Sequence, residues 1–281
     1  MLKFWRKIMK KRKGMLFIVS MAVTLIAGCG NTKETTSVGE GDSQIEEGTT
    51  FTVGFDAEFP PYGYLNENGE YVGFDLSLAE EVAERNGWEL KKQPIDWDGK
   101  DFELSSGAID CIWNGFTMDG REDSYTWSKP YVDNSQVFVV KAESGAASHG
   151  DLAGKTVAVQ KESSALAALN KEENKGLKDS FAQLIEFGDY NTAFLELQAG
   201  SVDAIAMDIG VCKYQMESRE GNYSILEDYL ATEKYGVGFL KGNEELRDQV
   251  QSTLDEMVVD GTFAEIAKEW GLTDSVCLTA D

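Results

Sequence analysis

The chain has 281 residues, 26 basic and 49 acidic, for a formal net charge of −23 at pH 7. So acidic a surface repels phosphate backbones, which argues against nucleic-acid binding. The single histidine, His149, stands in the Gly/Ala/Ser-rich stretch from Gly145 to Gly150, so a Ser-His-Asp or Cys-His catalytic site has little to build on.

From the N-terminus, Lys3, Arg6, Lys7, Lys10, Lys11, Arg12 and Lys13 precede an apolar run from Met15 to Ala27, the layout of an export signal. The run is about 13 residues, short of the roughly 20 that a bilayer-spanning helix needs. It ends in Leu25, Ile26, Ala27, Gly28 and Cys29, which resemble the bacterial lipobox, where the cysteine thiol takes a diacylglycerol and becomes the new N-terminus. Residues 1–28 are therefore expected to be a lipoprotein signal peptide and Cys29 the lipid anchor. Gly30 to Thr50 is rich in Gly, Ser, Thr and Glu without apolar periodicity and reads as a flexible tether over 29–50. Without the seven N-terminal cations, 19 basic residues face 49 acidic ones, a formal charge near −30. About 230 residues remain, enough for one large domain or two lobes.

Beyond Cys29 the cysteines are Cys111, Cys212 and Cys277, with no CxxC pair. An odd number cannot complete a disulfide framework, and neither a metal nor a redox motif is supported. Cys111 lies in an apolar run and reads as a small core residue. No cofactor is implied.

Strands alternate with helices along the remaining chain, the pattern of an α/β fold with mainly parallel sheets. Strands are expected at Phe51 to Phe55, Trp88 to Ile95, Ile109 to Trp113 and Ser135 to Val140, with a helix from Asp75 to Asn86 ended by Gly87. A second series runs through a strand at Thr156 to Gln160, a helix from about Ser164 to Asn170, a strand near Leu184 to Phe187, a helix from Asn191 to Ala199 closed by Gly200, and a strand at Val202 to Met207. Near the C-terminus Leu246, Val250, Leu254 and Val258 recur at four-residue spacing after an Asn243 cap. Gly261 ends that helix, and Thr262 with Glu265 forms a capping-box pattern for a last helix reaching Trp270.

Longer segments carry a resemblance. TVGFDAEFPPYGYLNENGEYVGFDLSLAEEVAERNG (Thr52 to Gly87), DWDG (Asp96 to Gly99), SSGAIDCIWNGFT (Ser105 to Thr117) and WSKPYVDNSQVFVV (Trp127 to Val140) resemble the family-3 extracellular solute-binding proteins for polar amino acids. The likeness resumes with LAGKTVAVQKESSA (Leu152 to Ala165), LQAGSVDAIAMD (Leu197 to Asp208), YGVGFLKG (Tyr235 to Gly242) and DGTFAEIAKEWG (Asp260 to Gly271). It implies a two-lobed, type II periplasmic-binding-protein-like α/β fold with the ligand in the cleft between lobes. The first lobe would comprise 51–133 and 236–281, the second 137–231, with hinge crossings at 134–136 and 232–235.

A bound amino acid presents an anion and a cation, and each needs a partner when buried, since an unpaired buried charge costs several kcal/mol in order of magnitude. The resemblance assigns the α-carboxylate to Arg121, whose guanidinium can make two parallel hydrogen bonds, with Gly115 and Thr117 in the turn before it. Thr117 to Arg121 is one residue shorter than the usual spacing, and a surface arginine paired with Asp119 or Glu122 is the plain alternative. Asp208, at the end of a second-lobe strand, is assigned the α-ammonium; its alternative is an N-cap for the segment starting at Ile209. Ser164 matches a carboxylate-holding position of the second lobe, and Glu162 replaces a glycine common just before it. Asp56, Phe59 and Trp97 are expected to form the side-chain pocket, with aromatic faces against an aliphatic stem or a guanidinium. Asp56 could instead brace its own loop, and Phe59 and Trp97 could be core. Trp113 and Trp127 read as core or hinge packing, and Glu58 as exposed.

The resemblance thus implies a monomeric, non-enzymatic component of an ABC importer that captures a free polar amino acid by lobe closure and delivers it to membrane permease subunits, extracytoplasmic and anchored through Cys29. Two alternatives stand beside it: a same-fold enzyme such as a cyclohexadienyl dehydratase, or a ligand-sensing adaptor for a membrane receptor. Arginine, lysine, histidine, glutamine and cystine all fit an acidic and aromatic pocket.

Overall fold

The computed structural model describes residues 48–219 and 221–279. The expected signal peptide, Cys29 and nearly all of the tether lie outside the described residues.

The chain opens with β1 (Thr50–Phe55), β2 (Glu58–Phe59), β3 (Gly63–Leu65), β4 (Tyr71–Val72) and α1 (Phe74–Asn86), followed by β5 (Glu89–Pro94), α2 (Lys100–Ser105), β6 (Cys111–Ile112), β7 (Thr126–Trp127) and the long β8 (Val132–Lys141). It continues through β9 (Thr156–Gln160), α3 (Ser164–Leu169), α4 (Lys175–Ser180), β10 (Gln183–Phe187), α5 (Tyr190–Ala199), β11 (Ala204–Asp208) and α6 (Ile209–Ser218). The last elements are β12 (Tyr223–Ile225), β13 (Ala231–Tyr235), β14 (Gly238–Phe239), α7 (Glu244–Asp260) and α8 (Thr262–Glu269).

These form a two-lobed, mixed α/β molecule. In the first lobe a five-stranded sheet runs β5-β1-β6-β14-β7, with β1 parallel to β5 and β6 and β14 antiparallel to β6 and β7. Alternation in β1 turns Phe51, Val53 and Phe55 into the core, as the two-residue repeat of a strand requires. On α1, Leu78 and Val82 face the same core. Gly87 closes that helix in the left-handed conformation, φ 71°. The C-terminal helices return to this lobe: Leu246, Val250, Leu254 and Met257 bury one face of α7, and the Arg85 guanidinium ties α1 to Asp260 and Thr262 at 2.8 and 2.9 Å.

The second lobe holds a sheet of order β10-β9-β11-β8-β12, with β13 also paired to β8. Parallel β10, β9 and β11 alternate with helices, while β8 runs antiparallel to β11. The two segments that cross between lobes, β8 and β13, pair antiparallel from Val132↔Tyr235 to Gln136↔Ala231. On the first-lobe side Tyr131 N–H donates to the Tyr235 carbonyl and Ser128 N–H to that of Val237. The crossings are therefore one hydrogen-bonded ribbon.

Two local expectations need correction, the Ile109–Trp113 strand and the Thr262 capping box. The expected Ile109–Trp113 strand is shorter, Cys111–Ile112, lying between β1 and the two-residue β14, with the Asp110 and Trp113 N–H groups donating to the Thr52 and Gly54 carbonyls at its ends. Gly261, not Thr262, caps α8, and no capping box forms: the Thr262 hydroxyl accepts from Arg85 and its N–H donates to Asp260. His149 is half-buried, with its ring edge-on to Phe138 at 5.0 Å and Nε2 3.1 Å from the Asp228 carbonyl oxygen. Cys111, Cys212 and Cys277 are free thiols, the first two buried.

Candidate functional site

The candidate residues gather at the C-terminal edges of the parallel strands, where α/β sheets leave their ligand crevice. Asp56 directly follows β1, and Trp97 lies in the turn after the adjacent β5, in register through Phe55↔Pro94. Across the cleft Gln160 ends β9, Ser164 opens α3 and Asp208 ends β11.

The two lobes touch directly. Gln160 Nε2 donates to Asp56 Oδ2 at 2.7 Å, and an Arg121 nitrogen donates to the Glu162 carbonyl at 3.1 Å. The Phe59 ring lies 6.1 Å from that of Tyr190. Asp56 also accepts its own loop's Glu58 N–H at 2.8 Å, so it both braces the loop and faces the other lobe. Burial pushes its carboxyl up to about 6, against the pull of those two hydrogen bonds.

Arg121 makes neither of the alternative ion pairs. Its second nitrogen donates to the Thr117 carbonyl at 3.2 Å, while Asp119 accepts from the Lys234 N–H. The shortened Thr117-to-Arg121 turn therefore still brings the guanidinium back over Thr117. It also lies 5.3 Å from the Phe116 ring centroid, a contact that orients a planar cation. Glu162 has a left-handed backbone, φ 53°. A glycine would adopt that conformation freely, and here a side-chain-bearing residue bears the strain.

Asp208 stands at the N-cap of α6, but its side chain makes no cap hydrogen bond. Its Oδ1 instead accepts from Asn134 and Gln136, both at 2.8 Å, and from the Tyr235 hydroxyl. Burial, then the neighbouring Glu233 carboxylate, push Asp208 up to about 7.

Glu233 was not singled out from the sequence, yet it is central. Its Oε1 accepts from Asn134 and Gln136 at 2.7 Å, from Thr117 Oγ1 at 3.0 Å and from Ser164 Oγ at 3.3 Å. Thr117 thus stands between the Arg121 guanidinium, held on its carbonyl, and the carboxylate, held on its hydroxyl. The signal was the alternation in β13, which puts Glu233 on the inward face with Tyr235. Gln136 Oε1 is buried with no hydrogen-bond partner among the described residues, an acceptor able to receive an N–H.

Two further buried groups escaped the sequence reading. Asp75 accepts the Gly115 N–H, and burial pushes its carboxyl up to about 7. Lys100 is 3% exposed, with Nζ 5.3 Å from the Trp97 ring centroid. Phe59 and Trp97 also carry core contacts, with Tyr62 and Phe116 respectively. A groove of about 710 Å³ at the outer rim, lined by Glu58, Tyr64, Asn191, Tyr214 and Arg219 among others, includes none of the eight candidates.

Residues 51–273 match the model of the bacterial extracellular solute-binding proteins, family 3, and the chain belongs to that family. It is 29% identical over 253 residues to the L-cystine-binding protein TcyJ of Escherichia coli (strain K12), covering 89% of this chain and 92% of that one. It is also 29% identical to the L-cystine-binding protein TcyA of Bacillus subtilis (strain 168), over 93% of this chain and 97% of the relative. Among solved structures, a histidine-bound substrate-binding protein of an ABC uptake transporter from Streptococcus pneumoniae superposes with a TM-score of 0.75 at 34% identity, covering 79% of this chain and 92% of the other.

Proposed function

We propose that this protein is the substrate-binding component of an ABC importer, capturing a polar amino acid between its lobes and delivering it to membrane permease subunits. The observation that carries the reading is the charge arrangement about Thr117: a guanidinium without a carboxylate partner on one side, the paired buried carboxylates Asp208 and Glu233 on the other. That is the complement of an amino-acid zwitterion, with Arg121 for the α-carboxylate and Asp208, Glu233 and Gln136 Oε1 for the α-ammonium. Gly115, Thr117 and Ser164 frame the backbone of the ligand, and Asp56, Phe59 and Trp97 its side chain. The ribbon of β8 and β13 is the hinge. Relatives named for amino-acid binding, and none of those compared for catalysis, support binding without turnover.

The extracellular family agrees with an exported protein, and the Cys29 motif supports attachment to the membrane by a lipid on that residue. A thermal-shift panel of amino acids, followed by calorimetry, tests the binding reading, because a ligand selective for the native state raises its stability. Saturable one-to-one binding that Arg121→Ala abolishes is the expected result. Binding of no amino acid, or turnover of prephenate or arogenate, would overturn it. Loss of membrane association in Cys29→Ala tests the anchor.

A further inference from the structure

The lobes also meet outside the eight candidates, along the groove at the outer rim, which is lined from both sides. On the first lobe stands Glu58, exposed at the start of β2. On the second stand Asn191, in the first turn of α5, and Gln215 and Arg219, near the end of α6 and just past it.

Asn191 is held in one orientation. Its Oδ1 accepts from Gln215 Nε2 and from an Arg219 nitrogen, both at 2.8 Å, and Arg219 Nε donates to Gln215 Oε1 at 2.7 Å. Arg219 is in turn seated over the Phe194 ring, 5.5 Å from its centroid, and Gln215 is buried. An amide whose oxygen is taken by two donors has its NH2 group left to point the other way. Here Nδ2 donates to the Glu58 carboxylate, across the boundary between the lobes. The charges that face Glu58 from the second lobe, Asp189 and Arg219, act on it in opposite directions, so the amide rather than a net ion pair makes the attachment. Beside it the rings of Tyr64 in β3 and Tyr214 in α6 stand 5.5 Å apart, with Tyr64 braced from its own lobe by Trp270 at 6.2 Å.

We infer that Glu58 and Asn191 form a latch: the amide, aimed by Gln215 and Arg219, fastens the second lobe to the first on closure and so sets how long an amino acid stays bound. This rests on the amino-acid-binding reading above and adds residues that hold the closed form from outside the ligand site. Of the bonds to Asn191, only the one to Glu58 joins the two lobes; those from Gln215 and Arg219 lie within the second lobe and survive opening. The donor is therefore ordered before the lobes meet, and closing it costs little further side-chain entropy. A contact made only after encounter acts on dissociation, not on association.

Asn191→Asp keeps the acceptor that Gln215 and Arg219 use and suits the first turn of a helix, where an acidic side chain is favoured. It also sets a carboxylate against that of Glu58. The test is the cycle of wild type, Asn191→Asp, Glu58→Gln and the double variant, by calorimetry and stopped-flow tryptophan fluorescence on the purified protein. The probes are L-cystine, L-histidine, L-arginine, L-glutamine and whichever amino acid gives the largest thermal shift.

For each probe that wild type binds, Asn191→Asp should weaken binding about 10-fold through faster dissociation, with association changed less than about 2-fold and the loss reduced in about 0.5 M salt. In the Glu58→Gln background, whose amide can donate to the new carboxylate, Asn191→Asp should cost less than about 3-fold. The ligand-free melting temperature should fall in none of the four. An equal loss in both backgrounds, no loss in either, or a loss carried by association overturns the latch while leaving the amino-acid-binding reading intact. Binding of no amino acid by wild type overturns that reading, and the latch with it. Should Asn191→Asp lower the melting temperature, Glu58→Ala decides, because its side chain is exposed: dissociation about 3-fold faster is expected, and an unchanged rate overturns the latch.

Discussion

Arg121 and Glu162 meet across the cleft through a hydrogen bond of 3.1 Å to a backbone carbonyl, not through an ion pair. The residue supplying that carbonyl has a φ of 53°, alone among the described non-glycine residues in having a positive φ. A left-handed backbone costs a side-chain-bearing residue about 1–2 kcal/mol. Glycine removes that strain and keeps the carbonyl, but adds entropy to the unfolded chain. Glu162→Gly should therefore stabilise the ligand-free protein by about 0.5–1 kcal/mol in chemical denaturation, without loss of amino-acid affinity.

Gly210 lies in α6 of the second lobe, and a Cβ there would come within 2.6 Å of the first-lobe Tyr62 hydroxyl oxygen. Alanine is intrinsically the better helix residue by about 1 kcal/mol, so Gly210→Ala should leave the separate lobes folded while obstructing their approach. The expected outcome is ligand affinity lowered by about tenfold with an unchanged or raised ligand-free melting temperature. Calorimetry paired with a melting curve reads both.

Gly115 has a φ of 56°, and a Cβ would sit 2.9 Å from the Phe59 ring and 3.0 Å from the Tyr235 ring. Strain and overpacking add here, so Gly115→Ala should destabilise the fold by about 2–4 kcal/mol, visible as a shifted denaturation midpoint.

Asp208 sets a pH dependence whose sign follows from its raised pKa. Its carboxyl moves from 3.8 to about 7 on folding, so between those values the folded state holds a proton that the unfolded state has lost. The associated stability is complete below about pH 4 and is lost as the pH rises toward 7. In the ligand-free protein, Asp208→Asn should flatten this part of the profile and raise stability above pH 7 by about 2–4 kcal/mol. The same variant should lose amino-acid affinity, which separates the cost of burying the carboxylate from its use in binding. Melting curves from pH 4 to 8, with and without ligand, read the two effects.

Where local chemistry dictates structure, the fold was legible in the sequence. The left-handed glycines Gly87, Gly200 and Gly261 mark helix ends, and the alternation over Phe51 to Phe55 marks a buried strand. The two-residue strands β7 and β14 were not legible, because they exist only through partners far along the chain. The Thr262–Glu265 pattern failed for a related reason: Arg85, 177 residues away, claims the hydroxyl the cap would use.

The site divides in the same way. Asp56, Arg121 and Asp208 stand at strand ends or beside a recognisable turn and could be picked out. Glu233 and Lys100 are charged residues among other charged residues; the alternation in β13 puts Glu233 on the face of Tyr235, but only tertiary packing makes that face the inward one. Phe102 and Lys100 invert the usual rule that the apolar residue is the buried one, which no local pattern announces.

The ribbon formed by β8 and β13 carries Asn134, Gln136 and Glu233 along its own length. If the ribbon is the hinge proposed above, the flexing joint and the groups proposed to take the ammonium are one piece of backbone, as in a strain gauge bonded to the beam that it measures. An ammonium that rearranges the hydrogen bonds of Gln136 and Glu233 acts on the flexure itself, with no relay through a lobe. Substitutions along this stretch should therefore change the angle between the lobes and the affinity together, and neither should be tunable there alone.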